Sequence, residues 1–98
     1  MDYQVILSPK AVGDLETIVR YIALTNPEAA RKLGHKLIQK ANELSQFPFK
    51  NQKVTEFDDA NIRQLILKPY RIIYRVEEDK KQISIARFWH SAQENLDI

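Results

Sequence analysis

The chain has 98 residues and no cysteine, which excludes disulfides and thiolate metal sites. Apolar residues make up 44% and charged residues 29%, the balance of an ordinary globular domain rather than of a disordered segment. No apolar run approaches the roughly 20 residues that span a bilayer, and a net charge of +2 does not by itself indicate nucleic-acid binding.

The sequence contains few residues that could bind a metal ion or a cofactor. His35 and His90 are the two histidines, and they cannot form a zinc site without help from carboxylates. We therefore expect no metal and no cofactor. The first residues lack the basic-then-apolar layout of a signal peptide, and the missing cysteines fit a reducing compartment, so we expect a cytoplasmic protein.

The first half of the chain predicts a strand followed by two helices. Residues 3–8 are β-branched and apolar, and Ser8-Pro9 then marks a helix start because the hydroxyl can cap free N–H groups and proline fits the first turn. Asn26-Pro27 repeats this signal. Each helix carries one apolar stripe at a spacing of three or four, formed by Val12, Leu15, Val19 and Ile22 and then by Ala30, Leu33, Leu37, Ala41 and Leu44. The short connection predicts an antiparallel helical hairpin that ends near Pro48.

The second half predicts three strands. Residues 50–61 are polar and indicate an exposed loop, and strands are expected at 62–68, 70–76 and 82–90, with a turn at 77–81. The order β-α-α-β-β-β predicts a single α+β domain over residues 1–98. In it, the helical hairpin packs on one face of a mainly antiparallel four-stranded sheet.

The middle strand raises a question about charge. Residues 61–76 contain four basic residues and no acid, whereas residues 1–49 are nearly balanced. Strand side chains alternate between faces, so Arg71, Ile73 and Arg75 share the face opposite the helices. Two alternatives stay open: these arginines are solvated surface residues, or they hold an anionic partner. Trp89 and His90 likewise allow a structural or a functional role.

The sequences YRIIYRV and RFWHSAQ, within PYRIIYRVEEDKKQISIARFWHSAQ, resemble the RelE/ParE superfamily of type II toxin–antitoxin toxins. The resemblance covers nearly the whole chain and is closer to the ParE-like, plasmid stabilisation toxins. Many members read nearer R-x-x-H-G-x-R at the second sequence, where this chain has Ser91 and Gln93.

The resemblance implies one of two activities. RelE-like members cut mRNA in the ribosomal A site without a metal, and a carryover of their residues makes Glu56 the base, Arg71 the phosphate clamp and His90 the acid. ParE-like members instead inhibit DNA gyrase by protein contact. Gln93, the few lysines before the second strand and the modest charge favour the gyrase inhibitor over the ribosome-dependent endonuclease. A non-toxic relative that only binds an antitoxin is a third alternative.

All three alternatives imply a cognate antitoxin as partner. We expect it to fill an apolar and basic groove on the open sheet face, where Arg71 and Arg75 stay exposed or pair with another chain. The segment 94–98 leaves two alternatives, a short helix or a segment that is unstructured until it is bound. The residues expected to contact the antitoxin or the target are Arg63, Arg71, Ile73, Arg75, Arg87 and Trp89.

Overall fold

The computed structural model describes residues 2–98, and within that range the chain forms two α-helices and one four-stranded sheet. The elements in chain order are β1 (Gln4–Leu7), α1 (Pro9–Ala23), α2 (Pro27–Asn42), β2 (Ile62–Leu67), β3 (Tyr70–Glu77) and β4 (Gln82–His90). The predicted order β-α-α-β-β-β and the α+β class are confirmed.

Both helices begin where the capping residues predict. The Ser8 side chain accepts a hydrogen bond from the Ala11 amide at 3.1 Å, and Asn26 accepts one from the Ala29 amide at 3.0 Å, each with proline in the first turn. Ser8 also donates to the carbonyl of Ala86, 3.0 Å away, which ties the start of α1 to β4.

The sheet has the strand order β1-β4-β3-β2, with β1 parallel to β4 and the other pairs antiparallel. A register shift between Ile73 and Tyr74 places Ile85 opposite Tyr74 and Arg87 opposite Ile73. This bulge changes the alternation of β4, so Ile85 and Phe88 both join the core while Arg87 and Trp89 share the other face.

Two apolar clusters lie on opposite faces of the sheet. The main core lies under the helices, and its largest fully buried side chains include Leu37, Ile72, Tyr74, Ile83, Ile85 and Phe88. The second cluster consists of Val54, Ile62, Ile73 and Trp89, with Phe57, Ala86, Leu96 and Ile98 packed against it.

The second cluster corrects the expectation of an open sheet face. The segment 50–61 is not a free loop: Lys53 bridges to Arg63, the Val54 amide donates to the carbonyl of Ile62 at 3.1 Å, and Val54 is fully buried. The segment 91–98 is neither a helix nor detached, since Leu96 and Ile98 pack on the same face. Local polarity predicted exposure, but pairing with the edge of β2 and apolar burial override it.

Candidate functional site

Arg71 of β3 forms the centre of a charged cluster on the face opposite the helices. Its two terminal nitrogens each donate to a carboxylate oxygen of Glu56 at 2.9 Å, and its Nε donates to the side-chain oxygen of Gln64 at 2.6 Å. Only 18% of the Arg71 side chain is exposed. The hydrogen bonds from Arg71 hold the pKa of Glu56 below its ordinary value. Glu56 and Arg71, predicted as base and phosphate clamp, therefore lie in contact.

Arg75 also has a partner in its own chain. Its guanidinium lies 3.4 Å from the carboxylate of Asp59, and both side chains are about 40% exposed (43% and 38%). The expectation that Arg71 and Arg75 remain unpaired until another chain arrives is wrong. The acids are missing from residues 61–76, but the segment just before them supplies Glu56 and Asp59 when it folds back over the sheet.

Arg63 holds this segment in place. It donates to the carbonyls of Ala60, Asn51 and Phe49 at 2.8, 3.0 and 3.3 Å. Its guanidinium also lies 5.1 Å from the centre of the Phe49 ring. Its contacts are those of a residue that fixes the loop, because guanidinium groups satisfy several carbonyls at once.

Ile73 and Trp89 are not surface residues. Ile73 is fully buried and Trp89 is 5% exposed, both beneath the segments 50–61 and 91–98. The expectation of an exposed Ile73 is wrong, because the chain covers this face with its own residues. Any partner contact through Ile73 or Trp89 requires one of those covering segments to move.

Arg87 connects three parts of the molecule. It donates to both carboxylate oxygens of Asp14 on α1, at 2.7 and 2.8 Å, and to the carboxylate of Asp97 at 2.5 Å. Its guanidinium lies 4.9 Å from the centre of the Trp89 ring. The hydrogen bonds with Asp14 raise the pKa of Arg87, so it stays charged.

Asp14 is a residue that the sequence pattern did not single out. It is 16% exposed and also accepts a hydrogen bond from the Phe88 amide at 3.0 Å. The sequence does show a carboxylate beside the apolar stripe of α1. It does not show the partner of that carboxylate, because Arg87 lies 73 residues away along the chain.

His90 lies on the other face of the sheet from Arg71. It pairs with Tyr70 across the strands, and the two rings meet edge to face with centres 5.3 Å apart. Its Nδ1 accepts a hydrogen bond from the Ala92 amide at 3.0 Å, and its own amide donates to the side chain of Gln93 at 2.8 Å. The predicted base, clamp and acid are therefore not brought together.

Three cavities lie beside the helices of residues 2–98, and one of them, of about 920 Å³, lies at the end of α2 along Ile38, Asn42 and Phe47. A small one of about 230 Å³ is lined by Asp14, Thr17, Tyr21, Tyr70, His90 and neighbouring residues. An apolar groove of about 380 Å³ runs between the helices along Leu15, Val19, Ala30, Gly34 and Ile38, and Arg31 and His35 flank it. Within residues 2–98 no group of His, Asp and Glu side chains is arranged to hold a metal, and neither helix could cross a membrane.

Comparison with known proteins identifies the family. A family model described as the ParE toxin of the type II toxin–antitoxin system parDE matches residues 5–95. The chain belongs to the ParE toxin family. It is thus a toxin of the RelE/ParE superfamily, as its sequence predicts.

Relatives of this ParE-family chain carry both names of the superfamily. Toxin RelE2 of Caulobacter vibrioides is 31% identical over 91 residues, covering 92% of this chain and 97% of the relative. The fold matches the chromosomal ParDE system from P. aeruginosa with a TM-score of 0.74, at 23% identity over 90% of this chain and 95% of the other. The RelBE2 toxin–antitoxin complex from Mycobacterium tuberculosis matches with a TM-score of 0.68, at 21% identity over 92% and 99%.

Proposed function

We propose that this toxin inhibits DNA gyrase by protein contact, in the cytoplasm, and that a cognate antitoxin neutralises it. The observation that carries the proposal is the separation of the nuclease residues. Glu56 and Arg71 pair on one face of the sheet, while His90 packs against Tyr70 on the other. A proton relay needs base and acid within hydrogen-bond reach of one substrate, which this arrangement does not favour.

The positive charge of Arg71 is also already neutralised by its ion pair with Glu56. A phosphate clamp stabilises the transition state through positive charge that is free to meet the phosphate. Here Glu56 and Gln64 accept one hydrogen bond from each of the three nitrogens of the Arg71 guanidinium, which uses three of its five N–H groups. A phosphate would have to displace the carboxylate of Glu56.

The helical hairpin offers a surface that suits protein contact. Its apolar groove is flanked by Arg31 and His35, and Tyr21 and Leu24 near its turn are 74% and 79% exposed. Exposed apolar side chains that cluster beside basic ones are typical of protein-binding surfaces. This supports the hairpin as the part that touches gyrase.

One observation favours the ribosome-dependent endonuclease as a second candidate. The resemblance implies that Glu56 is the base and Arg71 the phosphate clamp, and the two side chains are in direct contact although they lie 15 residues apart in the sequence. A-site binding could then bring His90 or another acid toward them.

Substitutions in cells separate the two candidates. We expect Arg71→Ala and His90→Ala to keep full growth inhibition, because a protein-contact inhibitor uses neither side chain chemically. If the toxin is a nuclease, each loses toxicity, since removing an acid or a charge stabiliser costs about a hundredfold or more in rate. Arg31→Ala and His35→Ala, which flank the proposed contact groove, should instead weaken growth inhibition. Circular dichroism and antitoxin binding verify that every variant is folded.

A further inference from the structure

We propose that the small cavity beside α1 is a binding site for a neutral, planar cyclic amide, the chemical class to which the free nucleobase uracil belongs. The cavity has a volume of about 230 Å³ and lies between α1 and the strand ends at Tyr70 and His90. Pockets for drug-sized ligands have volumes of about 300–1,000 Å³, so this one limits its ligand to one or two rings. It lies on the other face of the sheet from Arg71, and the proposed inhibition of gyrase does not require a ligand here.

The walls of the cavity suit a flat molecule. The rings of Tyr70 and His90 have centres 5.3 Å apart and planes at 89° to each other, and Phe88 and Ile18 add apolar surface. A planar ligand can stack on an aromatic face while its edge stays free for hydrogen bonds. A branched or puckered ligand of the same size makes less contact with such walls.

Three side chains at this cavity can donate hydrogen bonds to a ligand. Nδ1 of His90 accepts from the Ala92 amide at 3.0 Å, which leaves the proton of the neutral ring on Nε2. The side-chain oxygen of Gln93 accepts from the His90 amide at 2.8 Å, so its NH₂ group remains as a donor. Tyr70 is 8% exposed, and burial raises the pKa of its hydroxyl, so the group keeps its proton. These donors call for carbonyl oxygens on the ligand.

Asp14 supplies an acceptor and sets the charge of the ligand. Its carboxylate accepts two hydrogen bonds from Arg87, at 2.7 and 2.8 Å, and one from the Phe88 amide at 3.0 Å. A carboxylate has about four lone-pair sites, so one remains for an N–H group. Among the described residues that line the cavity none is Lys or Arg, and the negative charge of Asp14 disfavours a phosphate. A neutral ring with an N–H group beside a carbonyl meets both requirements.

The test is a titration of the full chain with uracil, followed by nuclear magnetic resonance of the two histidine rings. His90 lines the cavity, whereas His35 lines the groove between the helices and serves as the internal control. We expect a saturable shift of the His90 signal with a Kd of about 1 mM or lower, and no shift of the His35 signal. The His35→Gln variant assigns the two signals.

Two further ligands test the chemistry of recognition. Dimethyluracil with a methyl group on each ring nitrogen has lost the N–H groups that Asp14 would accept, so it should bind at least about tenfold more weakly. Uridine monophosphate should also bind at least about tenfold more weakly, because its phosphate meets the charge of Asp14 and its sugar exceeds the cavity. These comparisons separate a site for a free neutral ring from one for a nucleotide.

Substitutions that remove one hydroxyl test the residues. Tyr70→Phe should weaken uracil binding by about threefold to tenfold, the loss of one hydrogen bond. Tyr3→Phe is the matched control, since Tyr3 packs on the main core away from this cavity, and it should bind uracil like the parent. Thr17→Val changes an exposed residue of α1 that lines the cavity, and it decides by the same criterion if Tyr70→Phe does not fold.

Three results would each overturn the proposal. The first is no saturable shift of the His90 signal at about ten times the expected Kd of uracil. The second is binding of dimethyluracil or uridine monophosphate as tight as that of uracil. The third is unchanged uracil binding by folded Tyr70→Phe and Thr17→Val. None of them bears on gyrase inhibition or on antitoxin binding, which are measured separately.

Discussion

At the residue scale, each arginine of the strands forms an ion pair with a carboxylate or donates hydrogen bonds to backbone carbonyls of the same chain. Arg71 and Arg75 meet carboxylates from the segment before β2, Arg63 meets carbonyls of that segment, and Arg87 meets Asp14. These pairs differ in exposure, so they should differ in their contribution to stability. The least exposed pair, Arg87 with Asp14, should matter most.

Asp14→Ala should lower the free energy of unfolding by about 2–4 kcal/mol, because it leaves the Arg87 charge and the Phe88 amide without a partner in a mostly buried setting. Urea denaturation at neutral pH measures this. Glu28→Ala is the matched control, since it removes an exposed pair with Arg31 on α2 and should change stability by less than about 0.5 kcal/mol. Equal effects of the two substitutions would contradict the assignment of Asp14 as an anchor.

The contribution of Glu56 should depend on pH. Its pKa in the folded chain is lowered by Arg71, so the stabilisation is complete above its unfolded pKa of about 4.3 and is lost as the pH falls through the lower folded value. Glu56→Gln should therefore cost about 0.5–1 kcal/mol at pH 7, a modest amount because the side chain is 41% exposed, and almost nothing near pH 2. Urea denaturation of both proteins at the two pH values provides the comparison. A cost that does not change with pH would mean that Glu56 acts through its shape and not its charge.

At the element scale, the two helices of the hairpin are in close contact at Gly34. A Cβ atom added there would lie 3.2 Å from a methyl group of Val19, whereas nothing lies within 4 Å of one added at Gly13. Both glycines are in helix interiors, where alanine is intrinsically more favourable. The two positions therefore separate helix propensity from helix packing.

Gly13→Ala should raise the free energy of unfolding by about 0.5–1 kcal/mol. Gly34→Ala should gain less than Gly13→Ala by about 0.5 kcal/mol or more, or destabilise the chain, since Val19 must shift to make room. Thermal and urea unfolding of the two variants test the difference. If both alanines stabilise equally, the helices are not in close contact at Gly34.

The elements themselves could be predicted from sequence because their signals are local. Ser8-Pro9 and Asn26-Pro27 mark helix starts through contacts within one turn, and those contacts are present. The covering of the sheet face opposite the helices by residues 50–61 and 91–98 could not be predicted from local signals. It depends on pairing of Lys53 with Arg63, on Leu96 and Ile98 beside Trp89, and on Glu56 reaching Arg71 across 15 residues of chain.

At the scale of the whole molecule, the sheet separates two surfaces with different chemistry. The face beneath residues 50–61 and 91–98 is apolar and charge-paired, and the helical side carries an apolar groove flanked by basic residues. Fold alone does not select a target, because both activities of the superfamily occur on one architecture. The distribution of Glu56, Arg71 and His90 over the two surfaces is what favours protein contact over RNA cleavage.

The most direct measurement uses purified toxin in two parallel reactions. One follows DNA supercoiling and cleavage-complex formation by gyrase, and the other translates a reporter mRNA and maps its ends. We predict trapped gyrase–DNA cleavage, intact mRNA and the same outcome with Arg71→Ala. Cuts in the mRNA at the A-site position with normal gyrase activity would contradict the account and make Glu56, Arg71 and His90 the residues of a nuclease that assembles on the ribosome.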